Sequence, residues 1–140
     1  MDPRSSRALM EALSQAAASG RIAACHDLSE GGLAVAASEM AFAGGVGVSL
    51  DLDRVPRTQR IDREEVLLFS ESAGRFLVEV APEKEKAFLN ILKGLPLARL
   101  GTTIANPVLR LTGLDSQILL EEPLGTLKAS WEKTLPEAMG

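Results

Sequence analysis

Residues 24–37 read ACHDLSEGGLAVAA, and this stretch decides the fold. It begins within a short apolar run, residues 22–26, that is typical of a buried strand. It ends in apolar residues at helical spacing that continue to Ala41. Asp27 or Ser29 is expected to cap this helix at its start. The stretch therefore predicts a strand that passes through a polar turn directly into a helix, an arrangement that places ligands at the carboxyl end of the strand.

Helical and strand-like patterns alternate along the rest of the chain. Further helices are predicted from Ser5 or Ser6 to Gly20, over residues 62–69, from Pro82 to Gly94, and from Leu124 through Leu127, Trp131 and Leu135 to Pro136, which should end the last helix. Further strands are predicted over residues 46–51, 75–80, 97–104, 108–112 and 117–121, the last two joined as a hairpin. The glycines at 44, 45 and 47 should turn the second helix into a strand rather than bind a dinucleotide. This order predicts the α/β (or α+β) class, with one domain over residues 1–140 and a mixed sheet covered by helices.

The composition excludes several kinds of function. Fifteen Lys and Arg against nineteen Asp and Glu give a net charge of −4, which argues against binding to nucleic acid or to anionic membranes. A single cysteine and a single histidine, Cys25 and His26, offer neither a disulfide nor the usual zinc ligands, so no metal is expected. Adjacent strand residues point to opposite faces, so these two cannot form a nucleophilic pair, and Cys25 is expected in the core. A polar N-terminus without an apolar segment predicts no secretory signal, and the cytoplasm is the expected compartment.

The sequence HDLSEGGL, which starts at His26, forms the first candidate site. The start of a helix offers free N–H groups and a partial positive charge, which suit a phosphate or a carboxylate. His26 could shuttle a proton near neutral pH. Gly31 and Gly32 would allow a ligand or another backbone to approach closely. A purely structural role is the alternative, in which the polar residues only cap the helix, the glycines only permit helix–sheet packing and the histidine is a satisfied residue at a strand end.

Residues 69–75, FSESAGR, form the second candidate site. Arg75 could clamp a phosphate or a carboxylate. Glu71 could orient His26 or bind a substrate hydroxyl, and Ser72 adds a hydroxyl of its own. The alternative is a polar turn in which Glu71 and Arg75 form a surface pair of little energetic weight. The arginines of residues 54–63 are expected to be solvated, because acidic residues surround them in the sequence.

At these two places the chain resembles phosphoribosylformylglycinamidine synthase. Residues 24–36 resemble the HD-S-(D/E)-GGLA-A segment of that family, and residues 69–76 resemble its FSES-x-(G/S)-R segment. The ending, with Pro123-Leu124, Trp131 and Leu135-Pro136, is also similar. The first motif is shared with aminoimidazole ribonucleotide (AIR) synthetase, selenophosphate synthetase and thiamine-monophosphate kinase, whereas the two motifs together point to the synthase. The resemblance implies a layered α/β/α fold like the C-terminal domain of PurM, partly similar to ferredoxin-like domains.

The resemblance also implies a part in de novo purine biosynthesis. In that reaction ATP activates the amide oxygen of formylglycinamide ribonucleotide, and ammonia from glutamine displaces phosphate. Each half of the family's synthetase subunit joins an ATP-binding domain to a domain like this one. The implied partners are therefore the ATP-binding domain, the pseudo-symmetric half of the enzyme and the glutaminase. ATP and Mg²⁺ would be bound mainly by those other domains, and no cofactor is expected in this chain.

One departure from the family pattern implies that this is the second, C-terminal copy of the domain. The first copy reads ESQ at the substrate, where this chain has Glu71-Ser72-Ala73. The loss of the amide implies a degenerate site with an architectural role, so no residue is assigned as catalytic. The candidates on the substrate and phosphate side are His26, Asp27, Ser29, Gly31, Gly32, Glu71, Ser72 and Arg75. The isolated chain is expected to be inactive and to form a homodimer through an apolar face.

Two alternatives stay open. The chain could be a ferredoxin-like binding or regulatory module without catalysis, which would not need an apolar face for a missing partner domain. It could also belong to a related ATP-dependent synthetase, such as AIR synthetase or selenophosphate synthetase. Those branches lack the paired motifs in the form found here.

Overall fold

The computed structural model describes residues 3–57 and 59–138, and for Pro3 and residues 134–138 it describes the backbone alone. The helices and strands, in chain order, are α1 (Pro3–Ala18), β1 (Ala24–Asp27), α2 (Gly32–Gly44), β2 (Gly47–Asp51), α3 (Glu64–Phe69), β3 (Phe76–Glu79), α4 (Glu85–Ile91), β4 (Gly101–Ile104), β5 (Val108–Thr112), β6 (Ile118–Pro123) and α5 (Leu124–Ala138). Short 3₁₀ turns at Leu52–Arg54 and Pro82–Lys84 follow β2 and precede α4. No helix of the described part is long and apolar enough to cross a membrane.

The helix α2 is apolar on every side, and its position in the fold explains why. Its sequence, GLAVAASEMAFAG, contains a single charged residue, Glu39. A helix without a polar face must be covered all round. Leu33, Ala36 and Ala37 are buried, and the small alanines allow neighbouring layers to approach closely. Gly45, with φ of 65°, ends the helix in the left-handed conformation that favours glycine, as the glycine-rich turn predicted.

The strands form two separate sheets. One contains only β1 and β3, which are antiparallel, with Cys25 opposite Val78 and His26 opposite Leu77. The other has the order β4-β2-β5-β6 and is mixed, because β2 and β5 are parallel while the other pairs are antiparallel. The predicted hairpin of β5 and β6 is confirmed. The α/β class with a mixed sheet is therefore confirmed, although the strands that the sequence suggested for one sheet are divided between two.

Two hydrophobic clusters lie on either side of the small sheet. The larger joins α2 and α3 to the mixed sheet through Leu50, Leu109 and Leu111, and Leu77 of β3 packs against it. The smaller joins α1 to α4 and is contacted by the next residues along β3, Phe76 and Val78. Because successive side chains of a strand point to opposite faces, β3 contributes to both clusters. The small sheet is thus layered between α2 on one face and the α1–α4 pair on the other.

Several local predictions were wrong. Helix α1 already begins at Pro3, so Ser5 and Ser6 lie within it and do not cap it. Cys25 is exposed rather than buried in the core, because it lies on a two-stranded sheet that its covering helices overlap only in part. The strand expected from residue 97 begins at Gly101. Helix α5 continues to Ala138 and does not end at Pro136, and the side chain of Leu135 lies outside the described residues.

The central position of α2 predicts a large loss of stability when its core is truncated. Leu33 is 1% exposed, so Leu33→Ala should lower the free energy of unfolding by about 2–5 kcal/mol through lost burial and a residual cavity. Leu89→Ala is the matched control, because Leu89 is 45% exposed and its truncation should change stability by less than about 0.5 kcal/mol. Urea denaturation followed by circular dichroism measures both. Equal losses for the two variants would contradict the central role of α2.

Candidate functional site

The two sequence motifs meet at the start of α2. The N–H of Gly31 donates a hydrogen bond of 2.8 Å to the carboxylate Oε1 of Glu71. Gly31 is the N-cap residue of α2, with φ of 73°, and no side chain of its own segment caps the helix. The prediction that Asp27 or Ser29 would be the cap is therefore wrong. A carboxylate at a helix N-terminus satisfies a free N–H and interacts favourably with the helix dipole. Glu71 thus does for α2 what a local cap usually does.

Gly32 lies directly against the backbone between α3 and the second motif. A Cβ placed on this residue would come within 2.7 Å of the carbonyl oxygen of Leu68 and 2.8 Å of that of Ser70. Its φ of 62° is also in the left-handed region, which side chains other than glycine rarely adopt. The close approach of another backbone, one of the two roles foreseen for the glycine pair, is what the structure contains at this position.

Arg75 faces inward from the start of β3. Its Nη2 donates a 2.6 Å hydrogen bond to the carbonyl oxygen of Ser70, and its own carbonyl accepts the N–H of Leu28 at 2.9 Å. The Nε atom is buried and has no hydrogen-bond partner among the described residues. Partial burial lowers the pKa of the Arg75 guanidinium from its ordinary value. Arg75 therefore closes the loop of the second motif and does not form the surface pair with Glu71 that the sequence had suggested.

His26 pairs with a carboxylate that the motifs do not contain. Its Nε2 lies 2.9 Å from Oε2 of Glu39, and its Nδ1 lies 2.6 Å from the carbonyl oxygen of Asp27. Both partners offer oxygen atoms that accept hydrogen bonds. Glu39 of α2, not Glu71, is the carboxylate that faces this ring.

Glu39 also binds the C-terminal helix. The indole Nε1 of Trp131 donates to Oε1 of Glu39 at 2.8 Å, and the Trp131 ring lies 5.7 Å from that of Phe42. One carboxylate therefore connects β1, α2 and α5. Sequence reasoning missed Glu39 as the partner of His26 and Trp131 as the second partner of Glu39. The available signal was that Glu39 is the one charged residue of an otherwise apolar helix, which requires a polar partner there.

The remaining candidates of the motifs are open to solvent. Asp27, Ser29 and Ser72 are exposed, and Asp27 approaches His26 to 3.6 Å. The carbonyl oxygen of Ser29 accepts the N–H of Gly32 at 3.2 Å. Partial burial, and then the charge of Asp27, raise the pKa of the Cys25 thiol. Within residues 3–57 and 59–138, no three His, Cys, Asp or Glu side chains are grouped so as to hold a metal ion.

Two of the donors that a phosphate would need at this place are engaged with the chain itself, whereas Nε of Arg75 has no partner among the described residues. The N–H of Gly31 binds Glu71, and one arm of the Arg75 guanidinium binds Ser70. A nucleotide phosphate placed there would displace a carboxylate of like charge. The motif residues of this chain therefore do not fit an ATP phosphate site. Their contacts join the loop before α2 to the loop before β3.

Comparison with known proteins identifies the relatives. A model of the family described as "AIR synthase related protein, C-terminal domain" matches residues 1–113. The chain is 38% identical over 135 residues to phosphoribosylformylglycinamidine synthase subunit PurL of Thermobifida fusca, which covers 95% of this chain. It spans only 16% of the length of that relative. The resemblance that the two motifs indicated is thereby confirmed.

Solved structures give the same result. Thermotoga maritima PurL complexed with FGAR is similar at a TM-score of 0.79 with 30% identity, over 91% of this chain and 21% of that one. The same protein complexed with ATP is similar at a TM-score of 0.76 with 30% identity, over 86% and 21% of the two chains. The chain therefore matches about a fifth of the length of these solved chains.

The site geometry predicts a ranking of three substitutions. Gly32→Val should lower the free energy of unfolding by at least about 1–3 kcal/mol, because the new side chain meets two carbonyl oxygens that cannot move independently of α3. Gly44→Val is the matched control at the other end of α2, where a Cβ meets nothing within 4 Å, and should change stability by less than about 0.5 kcal/mol. His26→Ala should cost about 1 kcal/mol or less, since its ion pair is partly exposed.

Chemical denaturation of the three variants measures the ranking. A larger loss for His26→Ala than for Gly32→Val would mean that the histidine, and not the glycine contact, holds the two motifs together.

Proposed function

Because the chain belongs to the AIR synthase related family as a C-terminal domain of that family, we propose that it serves as the C-terminal domain of a phosphoribosylformylglycinamidine synthase in de novo purine biosynthesis. It acts there as one domain, residues 1–140, of an ATP-dependent carbon–nitrogen ligase. This copy contributes architecture rather than chemistry, and its motif crevice is a degenerate site. The reaction of the whole enzyme makes formylglycinamidine ribonucleotide from formylglycinamide ribonucleotide, ATP and ammonia derived from glutamine.

The observation that carries this proposal is the hydrogen bond between Glu71 and the N–H of Gly31. It joins the two motifs to each other instead of leaving the start of α2 open to a substrate anion. Ala73 stands where the family's substrate-binding copy has an amide, so the exposed loop has no side chain there that can bind a polar substrate. The crevice thus holds the two motifs together, and this supports an architectural role for the domain.

The rest of the enzyme supplies the partners and cofactors in this proposal. The chain spans 16% of the length of the Thermobifida fusca relative, which leaves ample length for an ATP-binding domain and a second half. ATP and Mg²⁺ are bound by those other parts, and glutamine-derived ammonia comes from a glutaminase. Formylglycinamide ribonucleotide is bound mainly in the other half. The place of action is the cytoplasm.

The proposal predicts that the 140-residue chain alone is inactive. Incubated with ATP, ammonium and formylglycinamide ribonucleotide, it should release no ADP above a blank without protein, because the ATP-binding part is absent. A full-length PurL assayed in parallel is the positive control. ADP release by the chain that depends on formylglycinamide ribonucleotide would overturn the architectural assignment.

A second prediction concerns self-association. Strand β6 lies at one end of the mixed sheet, so its outer edge is unpaired, and Ile118 and Leu119 on it are 61% and 44% exposed. An exposed apolar edge strand favours pairing with another chain, and we expect a second copy of this chain to pair with it. Analytical ultracentrifugation at increasing concentration should detect a dimer.

The control variants separate this edge from other exposed apolar residues. The double variant Ile118→Lys, Leu119→Lys should be monomeric, because charge on an edge strand blocks pairing. Met10→Lys should remain dimeric, since Met10 is equally exposed, at 57%, but lies on α1. A monomeric parent chain at all concentrations would contradict the prediction, and a monomeric Met10→Lys would move the interface to the α1 layer.

A further inference from the structure

A cavity of about 330 Å³ lies outside the motif crevice, beside the neighbouring strands β2 and β4. Its lining includes Ser49, Asp51, Thr102 and Thr112 from three neighbouring strands. Thr102 is opposite Ser49 in the antiparallel pair, and Thr112 is opposite Asp51 in the parallel pair, so these side chains share one face of the sheet. It is the face opposite to Leu50, Leu109 and Leu111, which point into the core.

This face differs from an ordinary core-forming sheet face. Parallel strand pairs are usually covered on both faces, whereas here the outer face of the β2–β5 pair carries polar residues. Arg110 is beside Ser49 in register and forms an ion pair with Glu121 across β5 and β6, which neutralises that part of the face. The cavity is therefore a polar depression on the sheet and not a gap in the hydrophobic core.

Two arginines, Arg54 and Arg99, line the cavity. Arg54 uses its Nε to bind Oδ2 of Asp51 at 3.1 Å, which leaves its two terminal amino groups available. Arg99 forms an ion pair with Glu85 at 3.8 Å, a distance too long for a hydrogen bond. Ser49 and Thr112, which line the same cavity, add two hydroxyl groups. The lining thus contains two guanidinium groups and the carboxylate of Asp51, and the carboxylate of Glu85 lies beside Arg99.

We propose that this cavity is a binding site for a phosphate group, held between Arg54 and Arg99 with the hydroxyls of Ser49 and Thr112 as additional donors. Planar guanidinium groups bind phosphate oxygens through paired, charge-assisted hydrogen bonds. The volume of 330 Å³ exceeds that of a phosphate ion, so the site has room for either free phosphate or the phosphate end of a small monoester. The site does not depend on the two motifs, and it does not depend on the proposed function.

Phosphate titration of the ¹⁵N-labelled chain at constant ionic strength tests the proposal, with inorganic phosphate and glycerol 3-phosphate as the two probes. We expect saturable amide shifts at Ser49, Gly101 and Thr112, with no shift at Gly31. Tighter binding of glycerol 3-phosphate would identify a monoester as the ligand, and equal binding would identify free phosphate. Arg99→Gln should weaken binding about tenfold, the effect of losing one charge-assisted contact in an open site.

The matched control is Arg4→Gln, which removes the same charge from an exposed position on α1 and should leave binding unchanged. Both arginines are exposed, so both variants should fold, and thermal unfolding checks this. Shifts that increase without saturation, or equal weakening by Arg99→Gln and Arg4→Gln, would show a general ionic effect and overturn the site. Shifts centred on Gly31 would place phosphate in the motif crevice and also overturn it.

Discussion

The contact between the glycine pair and the second motif is the constraint on which the rest of the structure depends. At Gly32 the helix α2 starts so close to the carbonyl oxygens of Leu68 and Ser70 that no side chain fits. At Gly31, one residue earlier, the N–H donates a hydrogen bond to the carboxylate of Glu71. These contacts set the distance between the start of α2 and the end of α3. Since α2 is covered on all sides, its position sets the spacing of every layer that packs on it.

The alanine-rich surface of α2 explains why the strands form two sheets. Ala36, Ala37 and Ala41 are almost fully buried, and such small side chains let the mixed sheet and the β1–β3 pair approach the helix from different directions. The β1–β3 pair also receives α1 and α4 on its far face through Phe76 and Val78. A single continuous sheet would leave one side of an apolar helix exposed to water, at a cost proportional to its area.

Local patterns in the sequence predicted the local structure well. The β1–α2 unit, the helix-to-strand turn at Gly45, and the β5–β6 hairpin each depend on neighbours within a few residues, and the structure contains all three. The errors at the candidate site concern contacts between distant parts of the chain. Glu71 and Gly31 are 40 residues apart, and Trp131 and Glu39 are 92 apart, so no periodicity could relate them. When a distant loop supplies the cap, a polar residue near the helix start, such as Ser29, is easily mistaken for the cap in the sequence.

At the motifs, family membership and chemical function are separate properties. A motif of glycine, carboxylate and arginine persists in a fold if it binds a ligand, and equally if it fixes the backbone. Here the carboxylate of Glu71 and one arm of the Arg75 guanidinium bind backbone groups of this chain, and these backbone contacts give both residues a structural role. A carboxylate that already occupies a helix start also opposes an incoming anion through like charge. The motifs therefore identify the fold and its relatives, whereas the terminal amino groups of Arg54 and the guanidinium of Arg99, beside the outer face of the mixed sheet, are the donors at which we propose that an anion binds.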